Sequence, residues 1–287
     1  MTLCLVCAGQ IQEVSSSCAT CGFLQSRVSA QTGEDYPADG SSQIYQIEDR
    51  SFWFRHRHSV ISEFFEQSDC TGPILDVGGG NGYETLRLQE QVSSVCLIEP
   101  SPEGCRNASE RGVRQIVCSN LENLRLKSGS IGTILLLDVI EHFDDPQPLL
   151  RECLRILRPG GVLLITVPAY GFLWSHEDIY ARHKRRYNIR SLSNTIQLAG
   201  YEIERISGFF QSLILPIFLF RALRWRLGFG NPARTNEQDH QKNGIFLTVL
   251  EKLLASERQK IARGSNLFWG ASLISVARKN PREEPAG

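Results

Sequence analysis

The chain has 287 residues, which suffices for one large α/β domain with small additions but not for two full-sized domains. Its 31 Lys and Arg residues balance 31 Asp and Glu residues, which excludes a basic field over the whole molecule for gathering nucleic acid. The nine cysteines lack the pattern of a disulfide framework, and the N-terminus lacks the basic start and apolar run of a secretory signal. We therefore expect a cytoplasmic protein.

Two C-x-x-C pairs, separated by ten residues, lie near the N-terminus. The four cysteines are Cys4, Cys7, Cys18 and Cys21. Four thiolates at this spacing can converge tetrahedrally on Zn²⁺, which predicts a zinc-ribbon-like module over residues 1–25. A metal-free remnant of such a ribbon is the alternative. Because the first basic residue is Arg27, we expect a packing or protein-contact role rather than contact with nucleic acid.

A polar linker and a helix precede the main domain. Residues 26–48 are rich in Ser, Gly, Asp and Gln, which is typical of a linker. Residues 49–65 mix aromatic and basic side chains at helical spacing and predict a helix that can lie across a cofactor crevice. The main domain is predicted over 49–207, with its last strand within 265–280 and a disordered tail at 281–287.

Strand-like runs alternate with helical stretches from Pro73 onward, which predicts an α/β fold built on a doubly wound, mostly parallel sheet. Seven strands are predicted, at Ile74–Val77, Val95–Glu99, Gln115–Cys118, Thr133–Leu137, Val162–Val167, Glu202–Ser207 and Ser272–Ala277. Between them, Ser101-Pro102-Glu103 has the residues of a helix start, and a helix is predicted over Pro146–Leu157.

A glycine-rich turn follows the first strand of the main domain. In ILDVGGGNGYET, Asp76 is followed by glycines at the alternate positions 78, 80 and 82. Glycine is needed where a strand turns sharply into a helix beside a ligand. A dinucleotide fingerprint would require glycine at position 83, where Tyr83 stands, which disfavours a nicotinamide oxidoreductase. The turn leaves room for a cofactor without a phosphate at this point, such as the amino-acid end of S-adenosylmethionine (SAM).

Polar residues end the next two strands. Glu99 closes the second strand, where a carboxylate can accept both hydroxyls of a ribose. Ser119 and Asn120 follow the third strand and could contact an adenine edge. An ordinary solvent-exposed loop is the alternative for this third turn.

Four motifs in order, ILDVGGGNG, CLIEP, GTILLLDVIEHFDDP and LRILRPGGVLLITVP, resemble the class I (Rossmann-like) SAM-dependent methyltransferases of the small-molecule type, over about residues 50–207. The resemblance implies a seven-stranded sheet with an antiparallel last strand. It also implies that SAM lies across the carboxyl ends of the first strands. The implied contacts are Asp76, Gly78 and Gly80 for the methionine part, Glu99 for the ribose, Ser119 and Asn120 for the adenine, and Asp138 to close the pocket. Gly79 departs from the family, which usually has a bulkier residue there.

The loop after the fourth strand, Asp138-Val-Ile-Glu141-His142, is similar to the D/E-x-x-E-H signature of methyltransferases that act on small hydroxylated molecules. Some of these hold a divalent ion there, and carboxylates with a histidine could bind Mg²⁺ or Mn²⁺. Two alternatives stay open. The Glu-His pair could anchor the loop by local hydrogen bonds, or His142 could act as a general base without a metal.

The densest polar cluster follows the fifth strand and includes His176 and Asp178, which with His142 are the candidate catalytic bases. In the resembling family a loop ending in H-x-R-R-Y supports the acceptor site. The basic run 184–186 could hold a carboxylate or phosphate, or could be a solvated loop. Four aromatics could face a sulfonium or belong to the core, namely Trp53, Phe54, Tyr170 and Trp174.

An apolar and basic helical insertion is predicted over residues 208–264. Its uncharged run at 208–220 is shorter than the roughly 20 residues of a membrane-spanning helix, and Arg221, Arg224 and Arg226 follow it. This predicts peripheral membrane contact through residues 209–226, or a lid over an apolar substrate. An ordinary buried helix is the alternative. Residues 231–243 are predicted to form a mobile loop.

These features together predict a methyltransferase for a small or lipid-linked acceptor, with oxygen as the expected target and no nucleic-acid partner. A nucleic-acid or protein methyltransferase guided by the zinc module is one alternative. It is disfavoured because D-V-I-E stands where nucleic-acid enzymes carry an N-P-P-Y-type tetrapeptide. The other alternative is a protein that binds SAM without catalysis.

Overall fold

A computed structural model describes residues 2–4, 6–7, 10–11, 18, 20–23, 44–92, 94–228 and 245–281. The predicted loop at 231–243, and the predicted tail apart from its first residue, lie outside the described residues.

The centre of the molecule is a seven-stranded sheet in the order β5-β4-β3-β6-β7-β9-β8. Its strands are β3 (Ile74–Val77), β4 (Val95–Glu99), β5 (Ile116–Cys118), β6 (Ile131–Leu137), β7 (Leu157–Pro168), β8 (Tyr201–Phe209) and β9 (Ser272–Lys279). The strands from β5 to β7 pair in parallel, whereas β9 is antiparallel to both β7 and β8. This confirms the predicted α/β fold with a mostly parallel sheet and an antiparallel last strand. Near the N-terminus, β1 (Thr2–Leu3) and β2 (Gln10–Ile11) pair in an antiparallel hairpin.

The helices of the described residues follow the predicted alternation with strands. The α-helices are α1 (Phe52–Gln67), α2 (Tyr83–Leu88), α3 (Pro102–Arg111), α4 (Gln147–Ile156), α5 (His176–Tyr180), α6 (Ile189–Leu198), α7 (Ile214–Ile217), α8 (Leu223–Arg226) and α9 (Ile245–Ala262). Short 3₁₀ turns lie at Leu121–Leu124, Ile140–His142, Gly171–Leu173 and Gln211–Leu213, and a π-helical turn at Phe218–Ala222 joins α7 to α8.

The sheet carries an apolar cluster on each face. Successive residues of a strand point to opposite faces, so Leu75 belongs to one cluster and Ile74 to the other. Helices α4 and α6 cover the first face, while α1 and α9 cover the second. Because both faces are covered, the central strands consist of continuous runs of apolar residues rather than of alternating apolar and polar residues.

Several boundaries differ from the sequence-based expectation. Strand β7 begins at Leu157 rather than Val162, because Leu157 already pairs with Ile131 of β6. The register shifts between this pair and the next one, Thr133 with Val162, and the Pro-Gly-Gly stretch lies in β7 at this shift. Strand β8 extends to Phe209. Residues 44–48, expected in the linker, are helical.

The predicted helix at 49–65 is present as α1. Ser51 caps it, since its hydroxyl accepts a hydrogen bond from the Trp53 amide at 3.2 Å. Its C-terminal half packs in the core through Val60 and Phe64. Its first turns reach the carboxyl end of the sheet, where Trp53 lines the cavity described below.

Candidate active site

A cavity of about 1110 Å³ opens at the carboxyl ends of the parallel strands. This is the position at which doubly wound sheets bind their ligands. The glycine-rich turn, the end of β4 and the loops after β5, β6 and β7 line it, and residues from 44–57 and 217–221 close it. Of the predicted cofactor contacts, all seven line this one cavity, namely Asp76, Gly78, Gly80, Glu99, Ser119, Asn120 and Asp138.

The glycine-rich turn has no room for side chains on its protein side. Gly78 has φ +73°, and a Cβ there would lie 2.9 Å from Val139 Cγ2. A Cβ on Gly79 would lie 2.5 Å from a methyl carbon of Leu97 and 2.6 Å from Asp76 Oδ2, which explains why this chain departs from the family pattern. Gly80, with φ +55°, has no atom within 4 Å of its would-be Cβ. The turn therefore presents bare backbone to the cavity.

Asp76 offers the cavity a carboxylate oxygen that is not yet used. Its Oδ2 accepts a hydrogen bond from Thr85 Oγ1 at 2.6 Å, whereas its buried Oδ1 has no hydrogen-bond partner in the described part of the chain. Burial raises the pKa of Asp76 to about 6. A buried oxygen left without a donor is costly unless a ligand supplies one, which suits an ammonium or another donor group.

Glu99 is held in a fixed orientation by backbone amides. Its two carboxylate oxygens accept hydrogen bonds from Gly80 N at 2.9 Å and from Ser101 N at 2.8 Å. Burial raises the pKa of Glu99, although both amides favour its charged form. Each oxygen retains a lone pair for a ligand hydroxyl. Asp76 and Glu99 thus offer acceptor oxygens, and Gly80 leaves open space, at the place where a cofactor with ammonium and hydroxyl groups would fit.

The loop after β6 is held by a buried arginine that the sequence motifs do not reveal. Arg57 donates from Nε to Asp138 Oδ2 at 2.9 Å and from Nη1 to Glu84 Oε1 at 3.1 Å. Thr166 Oγ1 donates to the other oxygen of Asp138 at 3.1 Å. Burial disfavours charge on Arg57, but Asp138 and Glu84 raise its pKa, so it stays charged. Helix α1 is thereby joined to α2, β6 and β7.

The same contacts define the backbone of Asp138. This residue has φ +59°, in the left-handed region that is unfavourable for a side chain other than glycine. Its amide donates to Thr166 O at 3.0 Å. With Arg57 on one oxygen and Thr166 on the other, the Asp138 carboxylate anchors the loop after β6.

A histidine after β7 lies at the acceptor side of the cavity. His183 Nδ1 is 3.0 Å from Asp178 Oδ1, and Asp178 also accepts two hydrogen bonds from Arg186, at 2.7 and 3.0 Å. Burial alone would raise the pKa of Asp178, but the hydrogen bonds from His183 and Arg186 outweigh it and keep the pKa below its usual value. An ionised Asp178 can only accept, so Nδ1 of His183 donates and Nε2 is left with a lone pair when the ring is neutral.

Nε2 of His183 lies 3.9 Å from Glu141 Oε1. Glu141 is fully buried, and neither of its carboxylate oxygens has a hydrogen-bond partner among the described residues. Burial, reinforced by Asp138, raises its pKa well above the usual range. The His142 ring lies 5.0 Å from the His183 ring, and one donor atom each of Glu141, His142 and His183 lies within 4.8 Å of the others. These three side chains could hold a divalent ion or surround an acceptor hydroxyl.

The other candidate bases differ in position. His142 lines the cavity, and His176, at the start of α5, is not among its lining residues. Asp178 is fully buried and caps α5, since its Oδ2 accepts from the Ser175 amide at 2.8 Å. His183 was missed because the sequence does not show which histidine of this cluster Asp178 contacts.

Only some of the predicted aromatic and basic residues reach the cavity. Trp53 and Phe54 line the cavity, and the Trp53 ring stacks on Phe210 at 3.9 Å between centroids. Tyr170 and Trp174 are not among the lining residues. The Arg186 guanidinium donates to Asp178 and to the Ala169 carbonyl. Arg186 is therefore not available for the carboxylate or phosphate that the basic run 184–186 was predicted to hold.

The four N-terminal cysteines come together in space. The Sγ atoms of Cys4 and Cys21 are 3.6 Å apart, those of Cys7 and Cys18 are 3.5 Å apart, and all four lie within 4.8 Å of one another. The cluster packs on the protein behind β5, where the Lys127 amide donates to the Cys21 carbonyl at 2.9 Å.

This sheet order, with the glycine-rich turn after β3 and an acidic residue ending β4, is the class I methyltransferase fold. Residues 75–165 match a protein family described as a methyltransferase domain. A protein of Mycolicibacterium smegmatis described as "Probable S-adenosylmethionine-dependent methyltransferase" is 28% identical over 177 residues, which cover 61% of this chain and 68% of that protein. The chain is therefore an enzyme, a SAM-dependent methyltransferase.

Two further comparisons cover less sequence or show the fold alone. A ubiquinone biosynthesis O-methyltransferase of Xanthomonas oryzae is 29% identical over 99 residues, so that the match spans 32% of this chain and 41% of that enzyme. A solved complex of the Haloferax volcanii Trm112 methyltransferase activator with a methyltransferase includes a chain that aligns with a TM-score of 0.54. That alignment covers 85% of this chain and 96% of the other at 16% identity.

Replacing Arg57 by Gln is expected to destabilise the protein by about 3–5 kcal/mol, because Asp138 and Glu84 would be left without their buried counter-charge. The matched control in the same helix is Arg55→Gln. Arg55 is half exposed and pairs with an exposed Glu251 at 3.8 Å, so its loss is expected to cost about 1 kcal/mol or less. Urea unfolding measures both changes, and equal effects would contradict the anchoring role of Arg57.

Replacing Glu99 by Gln is expected to weaken SAM binding roughly 100-fold, since each hydrogen bond to a charged group contributes about 1.5–3 kcal/mol. Glu110→Ala, at an exposed position of α3, is the control.

The affinity for SAM is also expected to fall as the pH drops below about 6, where Asp76 of the free protein takes up a proton and loses its attraction for an ammonium group. Calorimetry with SAM and S-adenosylhomocysteine measures both effects. Binding that is unchanged in Glu99→Gln would remove Glu99 from the cofactor site.

Proposed function

We propose that this methyltransferase acts on a hydroxyl group of a small or lipid-linked acceptor. The observation that carries the proposal is His183, which lines the cavity with Nδ1 fixed on the ionised Asp178. Methylation of a hydroxyl benefits from a group that removes its proton, and a histidine oriented by a carboxylate is suited to this task. The similarity to an O-methyltransferase of ubiquinone biosynthesis supports an oxygen target.

SAM, when bound, supplies a methyl group on a positively charged sulfur. The protein aligns the acceptor oxygen with that carbon and excludes water. His183 Nε2 would take the hydroxyl proton as the oxygen bonds to the methyl carbon, and the carbon–sulfur bond would break with its electron pair going to sulfur, so that S-adenosylhomocysteine is the leaving group. Asp178 stabilises the resulting imidazolium, and Arg186 keeps Asp178 ionised. The proton leaves His183 for solvent after the product departs.

Glu141 and His142 complete the acceptor site in this proposal. Burial raises the pKa of Glu141 and so favours its protonated form, which can donate a hydrogen bond to the acceptor. His142 lies beside His183 and is the second candidate base. Asp178 is a positioning residue, because its oxygens are occupied by Arg186, His183 and the Ser175 amide.

The test is release of S-adenosylhomocysteine with alkyl-substituted hydroquinones and catechols as acceptors, against primary amines and carboxylic acids. Turnover is expected with the hydroxyl acceptors. His183→Gln is expected to lower kcat about 10²–10⁴-fold with cofactor affinity unchanged. Asp178→Asn is also expected to lower kcat, because an amide in place of the carboxylate favours the tautomer of His183 in which Nε2 carries the proton. His176→Gln, outside the cavity, is the matched control.

Three outcomes would change this assignment. Loss of activity in His176→Gln but not in His183→Gln would assign the general base to His176 instead of His183. Loss with a chelator and recovery with Mg²⁺ or Mn²⁺ would mean that Glu141, His142 and His183 bind a divalent ion instead. Turnover of amines alone would contradict an oxygen target.

We further propose that the four-cysteine cluster binds a structural Zn²⁺. Four sulfurs within 4.8 Å of one another are the donor set that Zn²⁺ prefers, and three of the four cysteines are buried. The cysteines belong to the same apolar cluster as Leu121 and Leu124, in the segment that continues from the cavity-lining Ser119. Its role in this proposal is to stabilise the protein behind the adenine side of the pocket.

Metal analysis of the purified protein is expected to find about one zinc per chain. Cys21→Ser is expected to lose the metal and to lower the melting temperature by roughly 5–10 °C, because metal binding contributes directly to folding stability. Cys70→Ser, a cysteine outside the cluster, should retain both. A metal-free wild-type protein with the same melting temperature as Cys21→Ser would show the cluster to be a remnant.

A further inference from the structure

Several large apolar side chains are exposed on three segments of the chain that contact one another, and we call these side chains the aromatic face. Its members are Phe172, Leu215, Leu219, Phe220, Phe268 and Trp269. Phe268 is 76% exposed, Phe220 69% and Trp269 58%. Single exposed apolar residues are ordinary, but a contiguous group of this kind marks a surface that contacts something else.

Ring contacts make the aromatic face continuous across three segments of the chain. The Tyr170 ring lies 5.4 Å from that of Trp269 and 5.5 Å from that of Phe172. Phe172 in turn contacts Phe218 at 6.0 Å, in the π-helical turn that carries Leu219 and Phe220. The loop before β9, the loop after β7 and the α7–α8 segment thus share one surface.

The backbone at Phe268 and Trp269 is closely packed against the end of β8. A Cβ on Gly208 would lie 2.5 Å from the Trp269 carbonyl, and a Cβ on Gly270 would lie 2.2 Å from Phe209 N. Gly208 N donates to Leu267 O at 2.6 Å, and Leu267 N donates to Ser207 Oγ at 2.8 Å. Phe268 and Trp269 are therefore presented outward by a close-packed loop.

The chain segments that carry the aromatic face contain basic residues and no acidic ones. The segments 169–175, 208–228 and 263–273 contain no Asp or Glu, and they carry Arg221, Arg224, Arg226 and Arg263. Aromatic side chains beside arginines match the boundary of a bilayer, where rings lie at the level of the head groups and cations attract anionic lipids. Aromatic side chains beside arginines, without acidic residues in the same segments, favour an anionic membrane as the occupant of this face.

The aromatic face also adjoins the cavity. Ile217 and Arg221 line the cavity from the helical segment that exposes Leu219 and Phe220. Ala271 lines it two residues after Trp269. An acceptor whose apolar part stays in a membrane would therefore have only a short way to the site.

We propose that the aromatic face docks this enzyme on the surface of membranes that contain anionic lipids. Phe268 and Trp269 insert at the level of the head groups, and the arginines of the α7–α8 segment contact lipid phosphates. This docking concerns binding alone and does not depend on oxygen as the methylated atom. Among the described residues, no helix is long and apolar enough to cross a bilayer.

The test is co-sedimentation of the full chain with vesicles of phosphatidylcholine, with and without roughly 30 mol % phosphatidylglycerol. Binding to the anionic vesicles is expected, with a blue shift of tryptophan emission. The double variant Phe268→Ser with Trp269→Ser should weaken it about tenfold or more. Arg224→Glu should weaken it about fivefold or more, and this effect should shrink in high salt.

Leu198→Ser is the control, because Leu198 is 72% exposed on α6, on the other side of the sheet. SAM affinity should be equal in all variants, which separates membrane docking from misfolding. Failure of the wild-type protein to bind anionic vesicles, or equal binding by the double variant, would overturn the proposal. So would a wild-type dimer in light scattering that the double variant abolishes, since a second copy would then be the occupant of the face.

Discussion

The buried guanidinium of Arg57 joins the parts of this protein that form the cavity. It connects the first helix of the domain with Glu84 beyond the glycine-rich turn and with Asp138 at the end of β6. A charge of this kind is tolerated in the interior only when its partners surround it, so the three elements must come together for any of them to be stable. The unfavourable backbone conformation of Asp138 is held by the same contacts.

This arrangement has a consequence for the cofactor site. Asp138 accepts from Arg57 and Thr166, and Glu99 accepts from two backbone amides, whereas Asp76 Oδ1 has no hydrogen-bond partner in the described part of the chain. Asp76 therefore has an unused oxygen at the cavity, while Asp138 holds the loop after β6 in place. On the acceptor side the division is similar, because Asp178 is held by Arg186 whereas Glu141 has neither oxygen engaged by a described residue.

The strands and the glycine-rich turn could be predicted closely, because both are local patterns. Strands β3 and β4 have the predicted bounds, and the turn needs glycine for reasons that concern adjacent residues. The start of β7 was predicted five residues late, since its first pair depends on a register shift against β6. The choice among His142, His176 and His183 was also beyond local pattern, because it depends on which ring meets the carboxylate of Asp178.

The sequence by itself determined the class of fold, the seven strands, the cavity-lining residues that follow β3, β4 and β5, and the pairing of cysteines into two motifs. These follow from periodicity, from glycine positions and from the rule that parallel strands end at one edge of a sheet. Only the tertiary structure decided the role of Arg57, the orientation of His183 and the joining of Phe172, Phe220 and Trp269 into one surface. Arg57 and the aromatic surface depend on contacts between residues far apart in the chain, such as Arg57 with Asp138 and Tyr170 with Trp269. The orientation of His183 depends on how the chain folds back between Asp178 and His183, which their spacing alone does not reveal.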